Sequence, residues 1–162
     1  MSMDRSKLAR SFRELGIRVT AQRLAVAEAL EASSDHPTAH VVYERVRDRF
    51  PHITLGTIYN TLAMLEEKGF VQALTFANGT RYDTNVTPHV NLVCVECGGI
   101  IDADDEDDVL ARFREKICAT RGFATVGQRV DFYGTCEACR SASSRPCRTP
   151  KAPRPASTGA LE

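Results

Sequence analysis

Apolar residues recur at helical spacing through the first half of the chain and change to strand-like runs after Gly69. Leu8, Phe12 and Leu15 form one stripe over residues 4–16, and Gly16 ends that helix. Thr20 caps a second helix from Ala21 to about Ala32, with Leu24, Ala27 and Leu30 on its inner face. A third begins after Pro37-Thr38 and runs to Phe50, directing Val42, Val46 and Phe50 inward, and Pro51 stops it. Thr54 caps a fourth helix that reaches Lys68, where Gly69 supplies the break. Leu55, Ile58, Leu62 and Leu65 are its buried stripe, while Gly56, Thr57, Asn60 and Thr61 lie on the opposite face. Small uncharged residues there suit close approach to base edges in a DNA major groove, with Tyr59 beside them. The competing reading is a plain helix with an uncrowded surface.

The segment Phe70–Phe76 is β-rich, Asn78-Gly79 marks a turn, and Arg81-Tyr82-Asp83 returns, which predicts a hairpin. Helices two to four followed by a hairpin make a winged helix-turn-helix, with Arg81 a candidate phosphate contact on the wing. After a linker at 84–88, strands are expected at 89–95, 99–103 and about 123–134. Between the last two lies a helix from about Glu106 to Thr120, with Val109, Phe113 and Ile117 on one face and an acidic start at Asp104–Asp108. The fold class is thus α+β. It comprises a winged-helix domain over 1–83, a hinge at 84–88, a small α/β domain over 89–140, and a Ser-, Pro- and Arg-rich tail at 141–162. The tail is expected to be disordered, with Cys147 a spare thiol. A unit as small as the second buries little apolar surface alone, so it is expected to form a homodimer through its sheet.

Two Cys-x-x-Cys pairs, Cys94/Cys97 and Cys136/Cys139, end the first and last of those strands, with 38 residues between the pairs. A two-residue spacer aims both thiolates of a pair at one ion, and two pairs complete the tetrahedral sulfur shell of a structural Zn²⁺. The alternatives are disulfides or a thioredoxin-type redox pair. A redox pair opens a helix, whose N-terminus lowers the thiol pKa; both pairs here are expected to lead into turns instead. Four sulfurs leave no open coordination position, so a hydrolytic zinc enzyme is not expected.

Composition changes this picture little: 43% hydrophobic and 26% charged residues are those of an ordinary folded chain. No apolar run approaches the ~18 residues that cross a bilayer, and the charged N-terminus is unlike a signal peptide. The expected location is the cytoplasm, where thiols stay reduced. The formal charge is zero but unevenly spread. Residues 1–23 hold six Lys/Arg against Asp4 and Glu14, and residues 86–140 hold ten acidic against six basic side chains. A basic front end fits a polyanion partner, and equally fits solvated helix faces.

Several motifs together resemble the ferric uptake regulator (Fur) family over residues 5–140. They are Arg18-x-Thr20-x-Gln22-Arg23, His36-Pro37-Thr38-Ala39, Gly56-Thr57-Ile58-Tyr59-Asn60-Thr61-Leu62, Arg81-Tyr82-Asp83, His89-x-Asn91-Leu92-Val93-Cys94-x-x-Cys97-Gly98 and Tyr133-Gly134-x-Cys136-x-x-Cys139. The resemblance implies a cytoplasmic, metal-dependent transcriptional repressor and not an enzyme. Such a repressor binds a double-stranded operator with an inverted repeat as a homodimer, with no membrane partner. DNA contacts then fall on Arg18, Gln22, Arg23, Thr57, Tyr59, Asn60 and Arg81, with Arg13 a further phosphate contact. The resemblance also implies a regulatory Fe²⁺ or Mn²⁺ site at His36, Asp83, His89, Asn91 and Asp102. Asn91 departs from the family, which usually has a second histidine there, so the site is four-coordinate plus water, or takes the Asn91 carbonyl, or binds metal less tightly. Gln128 stands near the position of a histidine that serves a third site in part of the family, and that site is not expected here.

Asp83 and Asn60 resemble the peroxide-responsive branch more than the iron-uptake branch. For that branch peroxide is the only small-molecule signal, oxidation of a ligand histidine releases the metal and then the DNA, and His36 and His89 are the candidate targets. The second reading is an iron or zinc uptake repressor that ignores peroxide.

Overall fold

Threonine hydroxyls start three helices of the N-terminal part of the chain. The Oγ1 atoms of Thr20, Thr38 and Thr54 accept from the backbone N–H of Arg23 (3.3 Å), Val41 (3.3 Å) and Thr57 (3.2 Å). Each satisfies a donor that the first helical turn leaves open. The computed structural model describes residues 4–33, 35–76, 79–103 and 107–142, which fall into two units dividing between Thr87 and Pro88.

The first unit runs α1 (Arg5–Glu14), α2 (Ala21–Glu31), α3 (Ala39–Arg47), α4 (Leu55–Glu67), β1 (Gln72–Phe76) and β2 (Gly79–Asp83). Leu8 and Phe12 of α1, Val26 and Leu30 of α2, Val42 of α3 and Ile58, Leu62 and Leu65 of α4 are almost completely buried in one core. Phe12 and Phe70 meet edge to face at 5.5 Å. The antiparallel hairpin pairs Gln72 with Asp83 and Leu74 with Arg81.

Three details of the helices differ from expectation. Leu15 caps α1 at its C-terminus and is 38% exposed, because the left-handed Gly16 (φ 69°) turns the chain away before Leu15 can join the stripe. α3 stops at Arg47, although Phe50 still packs against the core. Thr61 is buried rather than presented on the outer face of α4, and its hydroxyl donates to the Thr57 carbonyl at 2.8 Å.

The second unit runs β3 (Val90–Cys94), β4 (Ile100–Ala103), α5 (Val109–Arg121), β5 (Val130–Gly134) and α6 (Glu137–Ala142). Its sheet has the order β4-β3-β5, with β3 antiparallel to β4 and parallel to β5. The strand expected over 123–134 shrinks to Val130–Gly134, and Phe123 and Val126 before it are exposed. The Val109/Phe113 face of α5 is also exposed, and no residue of this helix is buried. Among described residues of this unit only Val93, Cys94 and Ile100 are buried apolar side chains. α6 was not expected, since residues from Ser141 read as tail. Ala77 and Asn78 of the hairpin turn, Asp104–Glu106, and the tail from 143 with Cys147 lie outside the described residues.

Removing the centre of the first core should be costly. Leu62→Ala should lose ~2–5 kcal/mol of unfolding free energy by the usual cavity cost, and Thr54→Ala about 1 kcal/mol through loss of its cap. Urea denaturation followed by circular dichroism measures both.

Candidate metal centres and a polar cleft

The four thiols of Cys94, Cys97, Cys136 and Cys139 converge, with all four sulfurs within 4.8 Å of one another. Cys94 ends β3, and the chain then folds back through a tight knuckle. Gly98 N–H donates to the Cys94 carbonyl (2.9 Å), Cys94 N–H to the Gly99 carbonyl (2.8 Å), and Gly99 N–H to Cys97 Sγ (3.4 Å). Gly98 has a φ of 69°, which side chains rarely adopt, and a Cβ on Gly99 would lie 3.3 Å from Cys97 Sγ. Cys136 follows β5, and its N–H donates to Cys94 Sγ at 3.3 Å. Contrary to expectation, this second pair does open a helix: Cys136 precedes α6 and Cys139 sits inside it. What counts against the redox reading is that neither pair stands alone, since the four thiols form one group.

Tetrahedral Zn–S bonds of ~2.3 Å set sulfurs ~3.8 Å apart, and Cys97 Sγ lies 3.9 Å from Cys136 Sγ. The acid–base chemistry points the same way. Burial pushes the Cys94 thiol up, but backbone N–H groups of Cys136, Cys97 and Glu96 outweigh it and bring it down to about 6. Cys139 is pushed up to about 12, chiefly by side-chain hydrogen bonds with Cys136 and Cys97. One thiolate forms readily, while Cys139 keeps its proton in hydrogen bonds with the neighbouring sulfurs. A dication takes the place of the shared protons, and the donor set fits Zn²⁺. Cys118 lies apart from the group, its thiol 3.4 Å from the Thr125 hydroxyl.

A second set of candidate ligands is distributed over both units. In the first, His36 and Asp83 are buried and Nε2 of His36 lies 3.6 Å from Asp83 Oδ1. His36 takes a left-handed backbone (φ 49°) just before Pro37, and Thr38 rather than His36 caps α3. Arg81 does not reach for Asp83; its guanidinium donates to the His36 carbonyl at 3.2 Å. Asp83 Oδ1 also accepts from the Asn85 N–H at 2.7 Å.

In the second unit the buried His89 places Nε2 3.6 Å from Asp102 Oδ1. Asn91, two residues on along β3, is 2% exposed and is the register partner of Asp102 on β4 and Asp131 on β5. Its Nδ2 donates to Asp131 Oδ1 at 3.2 Å, whereas its Oδ1 is buried with no hydrogen-bond partner among the described residues. An orphaned buried oxygen costs free energy in a metal-free protein and is satisfied by a cation. Imidazole, carboxylate and amide oxygen together are a donor set for Fe²⁺ or Mn²⁺. Asp131 carries no motif signature; only the parallel pairing of β5 with β3 brings it to Asn91.

A cleft of about 300 Å³ in the first unit is lined by Arg18, Thr20, Gln22, Arg23, Thr57, Asn60 and Thr61. It lies where the start of α2 meets the first turns of α4, and Arg23 Nη1 donates to the Arg18 carbonyl at 3.1 Å. Tyr59 stands outside the cleft and is half exposed.

The model of the ferric uptake regulator family matches residues 14–133. A peroxide-responsive repressor, PerR, of Staphylococcus epidermidis is 34% identical over 135 residues, covering 80% of this chain and 86% of its own. The peroxide operon regulator of Bacillus subtilis is 34% identical over 134 residues, covering 80% and 88%. Among solved structures, the Campylobacter jejuni peroxide stress regulator superposes with a TM-score of 0.66 at 29% identity, covering 83% of this chain and 97% of that one.

Cys136→Ser should abolish retention of one tightly held metal per chain and unfold the second unit while the first stays helical. Elemental analysis and circular dichroism read the two effects. Protons compete with the metal for thiolates, so release to a chromophoric chelator should accelerate as pH falls.

Proposed function

The chain belongs to the ferric uptake regulator family, and from that premise we propose that it is a peroxide-sensing repressor in which Fe²⁺ or Mn²⁺ controls operator binding. Membership makes it a metal-dependent DNA-binding transcriptional repressor rather than an enzyme. The observation that carries the finer reading is a pair of buried imidazoles, His36 and His89, each 3.6 Å from a carboxylate. Relatives at 34% identity named for peroxide response support it.

The regulatory ion would be held by His36, Asp83, His89, Asn91 and Asp102. Ferrous iron, when bound, supplies one-electron reduction of peroxide beside its ligands. The chain's own part is to hold two oxidisable rings in place and keep bulk water from them. His36 is 6% and His89 7% exposed, so an oxidant formed next to either meets an imidazole carbon before it meets solvent. Oxidation to a 2-oxo ring removes a ligand nitrogen and with it the preference for the DNA-competent state. A linkage of ~1–3 kcal/mol changes operator affinity about 5- to 150-fold.

We assign a structural Zn²⁺ to the four cysteines and DNA contacts to Arg18, Gln22, Arg23, Thr57 and Asn60, with Tyr59 at the margin and Arg13 on phosphates. Arg81 keeps a phosphate role only if its guanidinium can leave the His36 carbonyl. The homodimer is assigned to the sheet, where Leu92, Ile101 and Phe132 form an exposed apolar row across β3, β4 and β5. No helix among the described residues is long and apolar enough to cross a membrane, and a DNA-binding repressor works in the cytoplasm.

Asn91 favours the second reading, an iron or zinc uptake repressor indifferent to peroxide, since an amide in place of an imidazole weakens the hold on Fe²⁺.

Fe²⁺-loaded protein should lose operator binding in micromolar H₂O₂ and gain one oxygen atom at His36 or His89, while Mn²⁺-loaded protein should not. Intact-mass and peptide mass spectrometry decide it, and an unmodified Fe²⁺ protein would leave the uptake reading standing. Arg23→Ala should weaken binding to all DNA sequences and lower the slope of log affinity against log salt by about 1.

A further inference from the structure

Asn91 is the position where this chain departs from its family, and the structure surrounds it with a fixed arrangement. β3 lies between β4 and β5, so Asp102, Asn91 and Asp131 form one row across the sheet. Asp131 is held from several sides. Arg129 donates through Nε to Oδ1 (2.9 Å) and lies 2.8 Å from Oδ2 through Nη2, and the Tyr133 hydroxyl donates to Oδ2 at 3.3 Å. Asp131 and Tyr133, two residues apart on β5, share a face, and Arg129 immediately precedes the strand. The carboxylate so fixed accepts Asn91 Nδ2 at 3.2 Å.

A carboxamide has its oxygen and nitrogen on opposite sides of the side-chain axis. Anchoring the nitrogen toward β5 turns the oxygen away from it, to the side of β4, where Asp102 is the register partner. That oxygen is the buried one that has no hydrogen-bond partner among the described residues. We propose that Asp131 is a positioning residue which, by holding the Asn91 amide nitrogen, presents the Asn91 carbonyl oxygen as a neutral ligand and biases the regulatory site toward Mn²⁺. The inference rests on the regulatory-metal reading above and says which of this chain's residues tune that site.

The bias follows from donor chemistry. An imidazole at this position favours later, softer divalent ions, whereas carbonyl oxygen suits Mn²⁺. Exchanging one nitrogen for one oxygen lowers the advantage that Co²⁺ or Fe²⁺ holds over Mn²⁺. An unanchored amide would rotate freely, and its nitrogen, whose lone pair is delocalised into the carbonyl, is a poor ligand for a metal. Partners that orient a ligand in this way typically change metal affinity by 10- to 100-fold.

The test uses the full chain with its structural metal retained, free Mn²⁺ counted by electron paramagnetic resonance, and Co²⁺ as competitor. Asn91→Leu and Asp131→Ala should each weaken Mn²⁺ binding about tenfold. The double variant should be no weaker than either single one within about twofold, since the carboxylate acts only through the amide. Asn91→His should raise the preference for Co²⁺ over Mn²⁺, a shift that a merely structural role would not produce. Unchanged Mn²⁺ affinity in Asn91→Leu overturns the proposal, as do additive losses in the double variant. Should Asp131→Ala shed its structural metal, Asp131→Leu, which fills a similar volume without an acceptor, takes its place, and unchanged Mn²⁺ affinity in it overturns the proposal. Failure of the parent chain to bind Mn²⁺ or Co²⁺ beyond the structural metal overturns the regulatory-site reading instead, and the proposal with it.

Discussion

Four sulfurs that must occupy one small volume dominate the second unit, because little else there can hold it together. Val93, Cys94 and Ile100 are its buried apolar side chains among the described residues, and one of the three is itself a thiol of the cluster. A core that thin does not offset the conformational entropy of ordering a chain segment. The cysteines join the end of β3, the glycine knuckle, the end of β5 and the start of α6, so a single ion would cross-link every irregular connection around one end of the sheet. Without a cation the same thiols share protons through hydrogen bonds, which bring Cys94 down to about 6 and push Cys139 up to about 12. With Zn²⁺ assigned to the cluster, folding of this unit and occupation of the cluster would be coupled.

Alternation along β3 then divides the work of the sheet. Asn91 and Val93 lie on one side, Leu92 on the other. The first side keeps the polar row with Asp102 and Asp131, and the second carries the apolar row with Ile101 and Phe132. Under the roles proposed above, five residues of strand would serve a metal site and a dimer face without competition. A slip of one residue in register would bury Leu92 among carboxylates and expose Asn91, and both functions would be lost together.

Legibility in the sequence followed how local each cause was. The threonine caps, the inner stripes of α2, α3 and α4 and the Cys-x-x-Cys spacing are short-range signals that survive in the structure, whereas the Val109/Phe113 stripe of α5 is exposed. Boundaries were less visible where one glycine or one back-bonded hydroxyl decides, as at Leu15 and Thr61. β-rich composition over 123–134 suggested a long strand, but pairing with β3 is available only to Val130–Gly134. α6 escaped notice because a six-residue helix leaves no periodicity to detect. His36, Asp83, His89 and Asp102 were legible only through family motifs, since isolated polar residues look alike from sequence. Asp131 was not legible at all, because its meaning depends on a parallel register across 40 residues of chain.

The loop before α3 is sewn to the returning strand of the hairpin. Tyr82 N–H donates to the Pro37 carbonyl at 3.0 Å, Thr38 bridges to Arg81, and Arg81 holds the carbonyl of His36. Together with the left-handed backbone at His36, these stitches tie the backbone that carries the imidazole to β2. Any displacement of that loop would therefore be shared with the hairpin or would break these three contacts.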